Sequence, residues 1–262
     1  MNIRDKVIVV TGGANGIGRA LCERFHAQGA RQIVVADIDA RGAQDVAGSI
    51  AGLAMSCDVS QEPDITRVIE DTERSCGPIG LFCSNAGVFF RDPDPENAAS
   101  APNETWMRAW AVNVMAHVYA ARALVPRMAA RGGGHFLHTV SAAGLLSQIH
   151  SAVYSVTKHA ALGFAESLAI THRDQGIKVS VLCPQGVETA MLRGGERSAA
   201  AVDGVLTPAQ VADVVMDGLV QDAFLILPHP QVARYMSSKI ENYDRWIGGM
   251  AKLRRSLPRP QP

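Results

Sequence analysis

Seven short runs of apolar, mostly β-branched residues recur through the chain, separated by longer and more polar stretches. The runs are KVIVVTG (6–12), RQIVVAD (31–37), LAMSCDV (53–59), PIGLFCSNAG (78–87), GHFLHTVS (134–141), IKVSVLCP (177–184) and FLILP (224–228). Helical spacing fills the gaps, as in the stretch after the first run, where Ile17, Leu21 and Phe25 recur every four residues before Gly29 ends the pattern. Strands that alternate with helices pair in parallel through right-handed crossovers. Their continuous rather than alternating apolarity is what burial on both faces requires. The expected fold class is therefore α/β: a single-domain, doubly wound, seven-stranded parallel sheet of the Rossmann type, with helices on both faces.

At 262 residues, 47% hydrophobic and 19% charged, the chain suffices for one large core, and residues 1–262 are expected to form one domain. Three regions break the rhythm. A polar, proline-bearing loop follows the fourth run at 89–104. A small-residue stretch at about 185–206 is expected to be a loop over the substrate, and about 231–254 reads as a C-terminal helix before a frayed tail. Twenty-five basic residues balance twenty-five acidic ones, so neither nucleic acid nor an anionic membrane is an expected partner. Cys22, Cys57, Cys76, Cys83 and Cys183 are odd in number and scattered, which argues against a disulfide framework and against a metal site. Reduced thiols and the lack of a signal-like N-terminus or an eighteen-residue apolar run give a cytoplasmic expectation.

The first run leads into Thr11-Gly-Gly-Ala-Asn-Gly-Ile-Gly18. Glycines there allow a tight turn, close backbone approach to a pyrophosphate, and tight packing of the following helix, whose N-terminus attracts phosphate. A plain tight turn has the same appearance. The second run ends at Asp37, about twenty residues on, where a carboxylate accepts hydrogen bonds from a ribose 2′-hydroxyl and repels a 2′-phosphate. Ile38 follows, with no adjacent cation to receive such a phosphate, so NAD is expected rather than NADP. A solvated strand-end acid is the plainer reading of Asp37.

With these elements in place the chain closely resembles the classical short-chain dehydrogenase/reductase family, from about Lys6 to about Leu192. The glycine turn has the family's TGxxxGxG spacing at Thr11, Gly12, Gly16 and Gly18. Asp58-Val59 matches the acid and aliphatic residue placed against the adenine, and Asn85-Ala86-Gly87 matches the NAG motif. Asn113, Ser141, Tyr154 and Lys158 fall on the catalytic tetrad, the last two in YxxxK spacing. Pro184-Gln-Gly-Val-Glu-Thr189 corresponds to the family's PGxVxT segment, with Gln185 in place of its first glycine. The resemblance thus implies cofactor contacts from Gly12, Asn15, Gly16, Ile17, Gly18, Asp37, Ile38, Asp58, Val59, Asn85, Ala86, Gly87, Tyr154, Lys158, Pro184, Gly186, Val187 and Thr189.

Tyr154 and Lys158 are four residues apart in a helical pattern and share one face. A cation about 4 Å from the phenol is worth roughly 4 kcal/mol at an effective dielectric near 20, enough to bring its pKa close to neutrality. Tyr154 is then the expected base, Lys158 its modulator and the ligand of the nicotinamide ribose, and Ser141 a second donor to the substrate oxygen. The resemblance gives Asn113 the ordering of a water that connects Lys158 to solvent.

It also places Phe89, Leu145, Leu146, Gln148, Gln185, Met191 and Leu192 beside the substrate. Most are apolar, so the expected reaction is interconversion of a hydrophobic secondary alcohol and its ketone. A 3-oxoacyl-thioester reductase, with Arg91 and Arg193 as its basic entrance, and a non-catalytic NAD sensor are the alternatives. The resemblance further implies a homodimer or homotetramer built on the helices that carry Asn113 and Tyr154. His135 and His138, three apart in a strand, should point to opposite faces, and Tyr235, Tyr243 and Trp246 are expected in the core or at a subunit contact.

Overall fold

The structure is a computed structural model, and it describes residues 1–192 and 199–257. Seven strands, β1 (Val7–Thr11), β2 (Gln32–Asp37), β3 (Leu53–Ser56), β4 (Ile79–Ser84), β5 (Gly134–Thr139), β6 (Ile177–Leu182) and β7 (Leu225–Ile226), form one sheet in the order β3-β2-β1-β4-β5-β6-β7. Every pairing is parallel. The strand order reverses between β1 and β4, and that switch point opens a crevice at the carboxyl ends of the strands.

Successive residues of each strand face opposite layers. Val7, Val9, Phe82, Phe136 and Val179 pack with Ile65, Leu124, Ala161 and Leu168 on one side. Ile8, Val10, Leu81, Leu137 and Leu182 pack with Leu21, Phe25, Val46, Val211 and Leu219 on the other. The first layer therefore comprises α3 (Glu62–Cys76), α5 (Ala116–Ala130) and α6 (Ala152–His172). The second comprises α1 (Gly16–Ala27), α2 (Ala40–Ser49) and α7 (Pro208–Val220). Local chemistry sets their ends. Glu62 and Asp64 favour the positive start of α3, Gly77 at φ +86° ends it, and Thr207 with Gln210 closes a reciprocal capping box on α7.

Two helical expectations change. The stretch around Asn113 is α4 (Asn103–Trp110) joined to α5 by a widened π turn at Ala111–Met115, not one uniform α-helix. The C-terminal segment is two helices, α8 (Gln231–Glu241) and α9 (Tyr243–Ser256), not one. Asn242 lies between them in extended geometry and its carboxamide oxygen accepts the Arg245 N–H at 2.8 Å. Asparagine favours that capping geometry over the helix interior. His135 and His138 do face opposite layers: His135 meets Ser180 at 2.9 Å, whereas His138 stacks on His117. Among the described residues no helix is long and apolar enough to cross a membrane.

Candidate active site

A cleft of about 1370 Å³ runs along the carboxyl ends of the strands from the glycine turn to α9. At one end its wall holds Gly12, Asn15, Gly16, Ile17, Asp37, Ile38, Asp58 and Val59, and further along come Asn85, Ala86 and Gly87. Gly12 and Gly16 have φ of +65° and +53°, which L side chains rarely adopt. A Cβ at Gly16 would lie 3.1 Å from the Thr189 methyl, so glycine keeps open the passage between α1 and the 184–189 segment. Gly18 lies outside the cleft wall. A Cβ there would fall 1.9 Å from the Gly12 carbonyl oxygen, so its part is to let α1 pack on the turn. No acidic residue occupies the first turn of α1, and its N-terminal N–H groups face the cleft with their partial positive charge uncompensated. These features fit a pyrophosphate.

Asp37 is 8% exposed and supports the same end. Its carboxylate accepts the Ala14 N–H and the Asp39 N–H, both at 3.0 Å, and each oxygen retains lone pairs for a ribose hydroxyl. A buried carboxylate already shared with the glycine loop is a poor neighbour for a phosphate. The residues present fit a dinucleotide.

Asn85 connects the turn to the part of the cleft that holds Tyr154 and Lys158. Its Nδ2 donates to the carbonyls of Thr11 and Gly12, and its Oδ1 accepts the Thr139 hydroxyl at 3.0 Å. The Thr139 carbonyl in turn accepts Lys158 Nζ at 2.9 Å. Asn113 is fully buried. Its Oδ1 accepts the Val88 N–H, and its Nδ2 donates to the Val88 carbonyl and to Thr157 Oγ1. Both amide hydrogens are thereby taken, which leaves one lone pair of Oδ1 for a water.

Tyr154 and Lys158 lie on one face of α6, as their spacing requires, with Nζ 5.6 Å from the phenol ring centre. Phe89 packs edge-on against the phenol at 5.1 Å. The Tyr154 hydroxyl is pushed up to about 12 by burial, and only the adjacent Ser141 hydroxyl pulls it back. Lys158 is pushed down to about 8, again by burial. Burial thus works against the expected lowering of the phenol. Lys158 Nζ donates to the Thr139 carbonyl, and for both groups burial is the dominant influence. Behind Lys158, His117 and His138 stack with ring centres 4.6 Å apart, and burial depresses both so that they remain neutral.

Ser141 begins a short 3-10 turn after β5, accepts the Ala143 N–H at 3.1 Å, and lines the cleft together with Pro184, Gly186, Val187 and Thr189. Of the expected substrate positions, Phe89, Leu146, Gln148, Gln185, Met191 and Leu192 line the cleft. Leu145 does not. Its side chain packs against the core, while its carbonyl accepts Lys239 Nζ at 2.8 Å. The reason is the turn after Ser141, which directs neighbouring residues to opposite sides. Arg193 and part of the expected substrate loop lie outside the described residues.

Residues 6–199 match the model of the short chain dehydrogenase family. The chain belongs to this family. It is accordingly an NAD(P)-dependent oxidoreductase. This short-chain dehydrogenase is 33% identical to the 1-deoxy-11-beta-hydroxypentalenate dehydrogenase of Streptomyces exfoliatus, over 100% of the chain and 94% of that relative. It resembles a Burkholderia phymatum short-chain dehydrogenase/reductase solved in complex with NAD, with TM-score 0.82, 25% identity, and coverage of 92% of this chain and 96% of that one. A 3-ketoacyl-(acyl-carrier-protein) reductase from Brucella melitensis, complexed with NADH, aligns with TM-score 0.76 and 26% identity over 86% and 95% of the two chains.

The dehydrogenase's cleft also includes residues that pattern reading passed over. Arg108, Ile149, Met250 and Leu253 line it, together with Tyr235 and Trp246, which were expected in the core or at a subunit contact. Tyr235 and Trp246 therefore face the cleft rather than serving only as packing residues. Trp246, Met250 and Leu253 follow i, i+4, i+7 spacing, a visible apolar stripe, but nothing in that pattern says which surface it covers.

Proposed function

We propose that this dehydrogenase uses NAD to interconvert a hydrophobic secondary alcohol and its ketone, with Tyr154 as the proton-transferring group. The observation that carries the reading is the convergence of the Tyr154 phenol and Ser141 hydroxyl on a cleft continuous with the glycine turn, with Lys158 one helical turn away. When bound, the oxidised nicotinamide accepts hydride and brings positive charge. Tyr154 removes the hydroxyl proton from an alcohol, or supplies it to a ketone. Ser141 holds the substrate oxygen by a second hydrogen bond and stabilises negative charge there. Lys158, anchored by Thr139, reaches the ribose and adds positive charge beside the phenol. Asn113 holds the Gly87–Val88 turn against α6 and offers its remaining lone pair to a water.

The buried carboxylate of Asp37 supports NAD over NADP. The apolar walls around Phe89, Leu146 and Trp246 support a hydrophobic substrate body, and the Streptomyces relative is itself named for a hydroxylated compound.

Tyr154→Phe tests the base. Activity across a panel of alcohols should fall about 10³-fold while NADH affinity is retained. Titration of NADH and NADPH should favour NADH in the wild type, with the gap narrowing in Asp37→Ala. Undiminished turnover in Tyr154→Phe removes the tyrosine from the reaction, and tighter NADPH binding by the wild type reverses the cofactor choice.

A further inference from the structure

The catalytic end of the cleft combines an apolar body with a basic mouth. Phe89, Leu146, Ile149, Trp246, Met250 and Leu253 supply apolar wall, which suits a carbon skeleton and offers nothing to a charge. Arg108, in the last turn of α4, and Arg91 line both this cleft and an adjoining chamber of about 410 Å³ that shares Phe89 and Met191 with it. Arg245, at the start of α9, also lines the cleft, as does Glu241.

The guanidinium of Arg108 lies over the Phe90 ring at 5.8 Å, and no carboxylate among the described residues lies within 4 Å of it. Two of the nearby acids are engaged elsewhere. Asp92 accepts the Ala152 N–H at 2.9 Å, and Glu96 pairs with Arg254 at 2.6 Å. Glu104, one turn earlier on α4, makes no ion pair with Arg108. Phe90 follows Phe89, whose ring touches Tyr154, so the aromatic pair connects the phenol to the guanidinium. A planar guanidinium held on an aromatic face, with its outer edge free, is suited to bidentate capture of a compact oxyanion.

We propose that the substrate is an apolar hydroxy or keto acid whose carboxylate, remote from the reacting carbon, is received by Arg108 at the cleft mouth. This rests on the alcohol–ketone reading above and narrows its substrate class. Arg91 and Arg245 add positive potential around the same mouth. A phosphate on the carrier of an acyl thioester shares the oxyanion chemistry. The carboxylic acid is favoured because the apolar face of α9 covers the cleft around the reacting end, enclosing a compact skeleton rather than guiding a long polar arm.

The test uses the NADH-loaded protein and three probes: a ketosteroid carboxylic acid, its methyl ester, and acetoacetyl-coenzyme A. Calorimetric titration should give the acid about 10-fold tighter binding than the ester, the scale of one charge-assisted contact. Arg108→Gln should bring the acid to the affinity of the ester, Arg108→Lys should restore part of the difference, and the remote control Arg173→Gln should leave the ratio alone. Thermal unfolding confirms that each variant is folded. Equal wild-type affinity for acid and ester, a ratio that survives Arg108→Gln, or saturable binding of none of the probes overturns the proposal. Tighter binding of the thioester than of the acid also overturns it, and assigns the arginine to a carrier phosphate. Preferential binding of the acid without oxidation of any matching alcohol leaves the anion site standing and rejects the alcohol–ketone reading instead.

Discussion

Asn113 and Val88 hold each other by two hydrogen bonds: the Asn113 carboxamide oxygen takes the Val88 N–H at 2.9 Å and its nitrogen donates to the Val88 carbonyl at 3.0 Å. A third bond, at 3.1 Å, reaches Thr157, the residue before Lys158. The π turn at Ala111–Met115 is what sets the carboxamide between the Gly87–Val88 turn and α6. Such single-turn bulges frequently accompany functional sites. A Cβ at Gly87 would lie 3.3 Å from Asn113 Oδ1 and 3.5 Å from Lys158 Nζ, so the turn, the asparagine and the lysine share one tightly occupied space.

Asn113→Ala leaves the Val88 backbone and the Thr157 hydroxyl without these partners. The expected cost is about 3 kcal/mol of stability, accompanied by a fall in kcat larger than any change in KM. Urea unfolding with steady-state kinetics measures both. A variant as stable and as fast as the wild type shows that the three bonds hold nothing of consequence.

Lys158 predicts an unusual pH dependence. Burial lowers its folded pKa to about 8 from the ordinary lysine value of 10.5. Between those values the unfolded chain keeps the proton and the folded chain has released it, so stability attributable to this group rises with pH. Below pH 8 both states are charged and the burial cost, about 3 kcal/mol, is present in full. The wild type should therefore gain stability relative to Lys158→Met between pH 8 and pH 10, by up to about that amount. The same variant should lose activity. A difference in unfolding free energy that stays flat across that range contradicts the depressed lysine.

Lys239 clamps the C-terminal helices to the cleft wall at Leu145 and Leu146. Its ammonium is 8% exposed with its side chain, donates to the Leu145 and Leu146 carbonyls at 2.8 and 3.2 Å, and lies 4.8 Å from the Trp246 ring centre. Lys239→Met should raise KM for bulky substrates about 10-fold, with NADH affinity unaltered, because it loosens Leu146 and Trp246 without touching the glycine turn. Unchanged KM alongside an intact fold removes the clamp from substrate binding.

Assembly is predicted from α6. Val156 and Ile170 are 47% and 78% exposed, and Gly163, midway between them at seven-residue spacing, has nothing within 4 Å of where a Cβ would stand. The same exposed face carries His159 and Glu166, and the small residue at its centre leaves room for close packing of a second copy of the chain. Sedimentation velocity should find a dimer or tetramer, and Gly163→Arg should shift it toward monomer. A monomeric wild type at micromolar concentration rejects this face as an interface.

The strands were legible because burial on both faces of a parallel sheet leaves uninterrupted apolar runs such as Ile8–Val10 and Ile33–Ala36. The glycine turn was legible because positive φ and a 1.9 Å approach admit no other residue well. Leu145 was misread because side-chain direction inside the turn after Ser141 depends on that turn's own course. Arg108 was missed because an exposed helical arginine looks the same beside a cleft as it does in open solvent. The helix break at Asn242 was hidden by apolar spacing on both sides of it.

The order of strands and helices, the dinucleotide turn, and the shared face of Tyr154 and Lys158 follow from the amino-acid sequence alone, because they depend on local spacing and on which residues water excludes. The protonation of that pair was decided by the tertiary structure. Burial raised the phenol to about 12 and lowered the lysine to about 8, and only the assembled fold sets how much water each group loses. The reach of α9 over the cleft was likewise settled in three dimensions, since an apolar stripe records that a face is covered but not by what.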